Sequence, residues 1–173
     1  ASSISAAGRI VTYQSLGSTL VPGDTNALND VFVHDRDTGT TTRVSVGTDG
    51  TQASSGAGGP TISANGRFVL FSSGAALTEP DTNSTSDVFV HDLESRTTTR
   101  ISDSGTGAEG NNSSVASSIS SDGRYVAYES VASNLVPGDT NQLADVFVQD
   151  RTTGLTTRIS LTSAGRQASY ISY

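Results

Sequence analysis

Hydrophobic residues along this 173-residue chain fall in short, dense runs separated by polar stretches rich in glycine, serine and threonine. Arg9–Ser15 reads RIVTYQS, Asp30–Asp35 reads DVFVHD and Thr40–Val46 reads TTTRVSV. β-branched and aromatic residues bounded by Gly, Pro, Asn and Asp predict strands for these runs. Nowhere is a helical spacing of apolar positions sustained over a long window. The runs VFV, RFVLF and RYVAY are apolar at successive positions. A strand with one wet face alternates apolar and polar residues, whereas a strand covered on both faces does not. These strands are therefore expected inside a stack of sheets.

The pattern recurs. DVFVHD begins at Asp30 and again at Asp87, and DVFVQD begins at Asp145, giving steps of 57 and 58 residues. A Gly-Arg pair opens an apolar run at Gly8-Arg9, Gly66-Arg67 and Gly123-Arg124. TTR followed by VS or IS ends at Ser45, Ser102 and Ser160. In the first unit SSIS (Ser2–Ser5) reaches the turn Ala6-Ala7-Gly8, and RIVTYQS follows. A longer loop through Leu20-Val21-Pro22-Gly23-Asp24 leads to DVFVHD, and the turn RDTG leads to TTTRVSV. Four strands per repeat is the make-up of a propeller blade, and a β-sandwich or a solenoid with long loops is the rival. The expected organisation is one segment, residues 1–173, with units at about 1–58, 59–115 and 116–173.

The composite pattern ISxDGRYVAYES, SNLVPGDTN and DVFVxDxxTGxTTRIS resembles the TolB-like propeller repeat, which is related to WD-like and tricorn-like propellers. The third copy matches best, with ISSDGR at Ile119–Arg124 and SNLVPGDTN at Ser133–Asn141. The second departs most, with AALTEPDTN at Ala75–Asn83 and a Leu-Glu-Ser-Arg turn that lacks the glycine. The resemblance implies an all-β β-propeller of three four-stranded antiparallel blades, half of a six-bladed ring. It is weak for function, because such propellers serve as binding platforms in many settings.

Composition narrows the partners. The formal charge is -7 and every basic residue is arginine, so binding along a phosphate backbone is not expected. No apolar run approaches the length of a membrane span. Cysteine is absent, which removes disulfides and thiolate metal sites and is compatible with export and equally with the cytosol; a secreted, periplasmic or cell-surface location is the expectation. Methionine is absent as well, which points to a processed product or an excised fragment.

The most chemical-looking element is D-T-N-x-x-x-D, present as Asp24/Asn26/Asp30, Asp81/Asn83/Asp87 and Asp139/Asn141/Asp145. Side-chain oxygens at positions one, three and seven of a loop suit a hard cation such as structural calcium. The competing reading is Asx-turn chemistry that fixes the loop entering a strand. The acidic residue at position twelve (Asp35, Asp92, Asp150) falls at the far end of a strand, about 16 Å away at ~3.3 Å per residue, and is not expected to join such a site. His34 and His91 share a repeat position with Gln149, which reads as a tolerant strand surface and not a catalytic site. Arg9, Arg67 and Arg124 form one repeated set and Arg43, Arg100 and Arg158 another; at least one set is expected to pair with Asp. No nucleophile elbow, Walker-type loop or dinucleotide fingerprint is present.

The expected function is a non-enzymatic binding or scaffold module that contacts a protein or other ligand. A glycan-binding propeller is the alternative, with Tyr13, Phe71 and Tyr128 as repeated aromatics that also suit packing. A propeller hydrolase or lyase is the rival enzyme class, with Asp122 and Glu129 as unrepeated carboxylates. ASYISY (Ala168–Tyr173) stands where the next copy of the first strand would begin. Whole blades leave one apolar face bare at each end, so the expected partner is a second copy, closing six blades as a homodimer, or further blades of a longer parent chain.

Overall fold

The computed structural model describes residues 1–168 and contains no helix among them. Twelve strands form three antiparallel sheets in chain order. The first holds β1 (Ser2–Ile4), β2 (Ile10–Ser15), β3 (Asp30–Asp35) and β4 (Thr40–Arg43). The second holds β5 (Ala57–Ile62), β6 (Phe68–Ser73), β7 (Asp87–Asp92) and β8 (Thr97–Arg100). The third holds β9 (Ser114–Ile119), β10 (Tyr125–Ser130), β11 (Asp145–Asp150) and β12 (Leu155–Arg158). The second and third sheets begin at Ala57 and Ser114, two residues before the expected unit boundaries. The further strand expected to start in ASYISY falls on residues 169–173, which lie outside the described residues.

Registers repeat with the sequence. Tyr13 faces Phe32, Phe71 faces Phe89 and Tyr128 faces Phe147 across the second and third strands. Each pair stacks with ring centroids 5.7–5.9 Å apart, within the range in which offset aromatic pairs attract. The repeated aromatics thus pack within their sheets.

The core lies between blades. Val31, Val33 and Val44 of the first blade meet Ile62, Val69, Phe71, Ala75, Leu77 and Phe89 of the second. On its other face the second blade presents Leu70, Val88, Val90 and Ile101 to Val126, Tyr128, Ala132, Leu135 and Phe147 of the third. Alternate residues of DVFV therefore serve opposite neighbours, Val88 and Val90 one way and Phe89 the other. That is why the run is apolar at successive positions: each residue of β7 is buried, covered from one side or the other.

Turn chemistry fixes the spacing of the stack. Gly123 has φ +79°, and a Cβ there would come within 2.0 Å of the Phe68 ring of the second blade. The turn between the third and fourth strands uses Gly39, Arg96 and Gly154 at one repeat position, all with positive φ. The second copy therefore keeps the left-handed turn without the glycine that makes it strain-free. Backbone bonds also cross between blades, from Ala6 N to Ala64 O at 3.0 Å and from Asn65 N to Ser121 O at 3.1 Å.

Candidate functional site

The DTN loops enter the third strand of each blade, so Asp30, Asp87 and Asp145 sit at strand starts and are buried. Asp30 Oδ1 accepts from Ser45 Oγ at 2.6 Å, and Ser45 Oγ accepts from Val31 N at 3.1 Å. Asp87 and Ser102 repeat this at 2.6 Å, and Asp145 pairs with Ser160. The serine closing each TTR-V/I-S motif thus anchors the first aspartate of DVFV. The link comes from the register, which sets the two motifs side by side.

The asparagine side-chain oxygens are taken up by the loop's own backbone. Asn26, Asn83 and Asn141 accept with Oδ1 from the N–H two residues ahead (Leu28, Thr85, Leu143) at 2.6–3.0 Å. This is the Asx-turn geometry. Their amide groups donate to the carbonyls of Ala53, Gly110 and Ala168 at 2.6–3.1 Å, tying the loop to the strand connection that follows. The aspartates do come together within each loop, Asp24 with Asp30, Asp81 with Asp87 and Asp139 with Asp145, and in the first and third blades one further side chain bridges them.

In the first blade the bridge is Gln52. Its Nε2 donates to Asp24 Oδ1 at 2.9 Å and to Asp30 Oδ2 at 3.0 Å. Gln167 does the same for Asp139 and Asp145 at 2.7 and 3.2 Å. Arg43 and Arg158 add charge, 3.4–3.6 Å from those carboxylates. The second blade differs. Glu109 occupies the Gln position and accepts from Thr82 N at 2.9 Å and Thr82 Oγ1 at 2.6 Å. Carboxylate oxygens of Asp81, Asp87 and Glu109 lie within 4.8 Å of one another. Arg100 donates through Nε to Asp103 at 2.7 Å and through Nη1 to Glu109 at 3.1 Å and Pro80 O at 2.8 Å. Burial pushes the Asp87 carboxyl up to about 6, with the Ser102 hydroxyl and Arg100 opposing it.

Position twelve is remote from this cluster, as its place in the strand implied. Asp35, Asp92 and Asp150 each receive a two-pronged arginine of their own blade: Arg9 at 2.6 and 3.1 Å, Arg67 at 2.7 and 2.9 Å, Arg124 at 2.7 and 3.0 Å. Hydrogen bonding to Arg9 and Arg124 holds Asp35 and Asp150 at about 2, and Arg67 draws Asp92 down in the same way. Both arginine sets therefore pair with aspartate.

The histidine position is a correction to the surface reading. His91 and Gln149 are buried at blade interfaces. His91 Nδ1 bonds Thr98 Oγ1 at 2.9 Å, and Thr98 Oγ1 donates to Val46 O of the preceding blade at 2.5 Å. Gln149 Nε2 reaches Ile101 O of its preceding blade at 2.8 Å. Imidazole and amide are exchangeable here because each bonds a threonine of the adjacent strand, Thr98 or Thr156, whose hydroxyl donates to the preceding blade. Gln52, Glu109 and Gln167 escaped sequence reasoning because they lie about one strand connection beyond the loops they serve. Aligning TQA, AEG and RQA across the repeats is the signal that exposes them.

No family model and no curated protein matches this sequence. Among solved structures, a TolB from Agrobacterium tumefaciens superimposes with TM-score 0.54 at 18% identity, over 90% of this chain and 47% of that one. The chain carries three blades of a β-propeller. The β-propeller domain of the Trilobed protease from Pyrococcus furiosus gives TM-score 0.54 at 15% identity, covering 92% of this chain and 42% of that one. A prolyl endopeptidase gives 0.52 at 13% identity, with 90% and 20% covered. The propeller segment thus spans about half the length of the first two and a fifth of the third. Among the described residues, no helix is long and apolar enough to cross a membrane.

Proposed function

We propose that this propeller segment is a non-enzymatic binding or scaffold module that closes a ring by head-to-tail packing with a second copy of itself. One observation carries the reading. Positions buried between blades reappear uncovered at the two ends. Leu77 and Leu135 are 7% and 2% exposed, while Leu20, their counterpart in the first blade, is 39% exposed. Val44 and Ile101 are 0% and 1% exposed, while Ile159 of the third blade is 53% exposed. The two bare faces are of the two kinds that already pack together twice within the chain, so each is complementary to the other. A contact of that kind closes into a ring when its rotation permits, and two copies supply six blades.

Within the ring the DTN loops would form an acidic rim. The net charge of -7 favours a neutral or basic protein ligand, or a glycan, over nucleic acid. The same reading places the module in a secreted, periplasmic or cell-surface setting, where a cysteine-free chain is indifferent to redox. Recovery in the cytosol on cell fractionation would contradict that placement.

Mixing tests the head-to-tail geometry. Leu20→Arg and Ile159→Asp each spoil one of the two faces and should give chains that run at monomer mass. Mixed together, the two variants retain one intact contact and oppose arginine to aspartate at the other, so dimer mass should return. Variants that stay dimeric alone, or a mixture that stays monomeric, would overturn the proposal.

A further inference from the structure

The three DTN sites share one backbone geometry but not one charge. Asp24 and Asp30 face Arg43, and Asp139 and Asp145 face Arg158. Each set carries one net negative charge. In the second blade, Asp81, Asp87, Asp103 and Glu109 surround Arg100 alone, so the same space carries three. The difference arises at two positions. Glu109 stands where Gln52 and Gln167 stand, and Asp103 stands where Val46 and Leu161 stand.

The exchange also removes donors. Asp30 Oδ2 accepts from Gln52 Nε2 at 3.0 Å and from Asn26 Nδ2 at 3.3 Å. Asp145 Oδ2 accepts from Gln167 at 3.2 Å and Asn141 at 3.4 Å. Asp87 Oδ2 has neither. Glu109 has no amide to offer, and the Asn83 amide is spent on Gly110 O at 2.6 Å. Arg100 Nη1 is 3.7 Å away, an ion-pair distance beyond hydrogen-bond reach. The result is a buried carboxylate oxygen with no hydrogen-bond partner, on a side chain 1% exposed, turned into a space shared with two other carboxylates. A buried charged oxygen left unpaired is costly, and an acidic cluster resolves that cost with a proton or a cation.

We propose that the second blade alone holds a hard divalent cation, calcium, on Asp81, Asp87 and Glu109. Three carboxylates supply the charge, the orphaned Asp87 oxygen supplies the inward ligand, and water completes a coordination shell of roughly six to eight oxygens. Asn83, drawn to its Asx turn, is not a ligand. Arg100 keeps its Nε bond to Asp103 and its Nη1 bond to Pro80 O while the cation takes over its share of Glu109. The first and third sites are already satisfied by glutamine and need no ion. The proposal is independent of the dimer: it concerns residues of one blade and reads out in a single chain.

Calorimetric titration of the full chain with calcium chloride, after chelator treatment, tests it. One ion per chain is expected. Glu109→Gln restores the residue that the sister blades use, so the variant should keep the wild-type circular dichroism spectrum while its calcium affinity falls at least tenfold. Asp81→Asn should show the same loss, and Asp37→Asn, on an exposed turn, should titrate like wild type. No heat with an unchanged melting curve in calcium and in chelator would overturn the proposal. So would three ions per chain, or a Glu109→Gln variant that binds as tightly as wild type.

Discussion

Ile101 and Ile159 occupy one repeat position, the residue after the arginine of TTR, and differ only in whether a blade follows. Ile101 is enclosed by Val126, Tyr128, Leu135 and Phe147 of the third blade. Truncation to alanine there removes packed methyl and methylene groups and leaves a cavity, which costs about 2–5 kcal/mol. That is a large fraction of the ~5–15 kcal/mol that holds a domain together. Ile159 in a single chain is half wet. Full burial of such a side chain contributes roughly 1.5–3 kcal/mol, so Ile159→Ala should cost on the order of 1 kcal/mol or less in the monomer, with no cavity formed. In a closed dimer the same residue is covered, and its cost should rise toward that of Ile101→Ala. Dimer stability is linked to concentration, so the rise should appear only when protein is concentrated. Urea unfolding followed by far-ultraviolet circular dichroism, at low and high protein concentration, separates these cases. An Ile101→Ala variant no less stable than Ile159→Ala in dilute solution would refute the stacked-blade core. An Ile159→Ala cost that ignores concentration would refute the covered terminal face.

Acid should weaken the Arg–Asp forks in a defined window. Asp35 and Asp150 are held at about 2 by Arg9 and Arg124, below the ordinary carboxylate value, so their contribution is complete above about pH 4 and is lost as pH falls toward 2; a melting temperature flat across that range would contradict it. Gly123→Ala and Gly154→Ala both place a side chain at φ near +75°, costing about 1–2 kcal/mol. Gly123→Ala also drives its Cβ into Phe68, whereas nothing lies within 4 Å at Gly154, so thermal unfolding should show Gly123→Ala as clearly the worse. Arg96→Gly relieves the one non-glycine copy of that turn (φ 59°) and should raise stability by about 1 kcal/mol in the same assay; a loss would mean that the Arg96 side chain matters more than its backbone.

The blade architecture was legible because repetition and local pattern agree. VFV and RFVLF declared themselves doubly covered, and Gly8, Gly66 and Gly123 marked the same turn three times. Which partner each charged residue takes was not legible, because pairing is decided by register and not by spacing. Arg9 and Asp35 stand 26 residues apart, yet antiparallel pairing of β2 with β3 sets them side by side. His34, His91 and Gln149 read as a variable surface, since sequence shows exchangeability but not the preceding blade that buries His91 and Gln149. The DTN loops were visible as a cluster of oxygens, but the residue that satisfies or fails to satisfy them comes 28 residues after Asp24, Asp81 and Asp139, on the connection to the next blade. Asp103 and Glu109 differ from their sister positions in ways that only the assembled site makes meaningful.

Light scattering coupled to size exclusion, on the chain itself, is the most direct test of whether its end faces close on a second copy. Head-to-tail closure predicts a folded species at twice the 17.7 kDa chain mass, with no larger filament, across a range of concentrations. A stable, cooperatively folded species at 17.7 kDa would contradict it, leaving Leu20 and Ile159 in water.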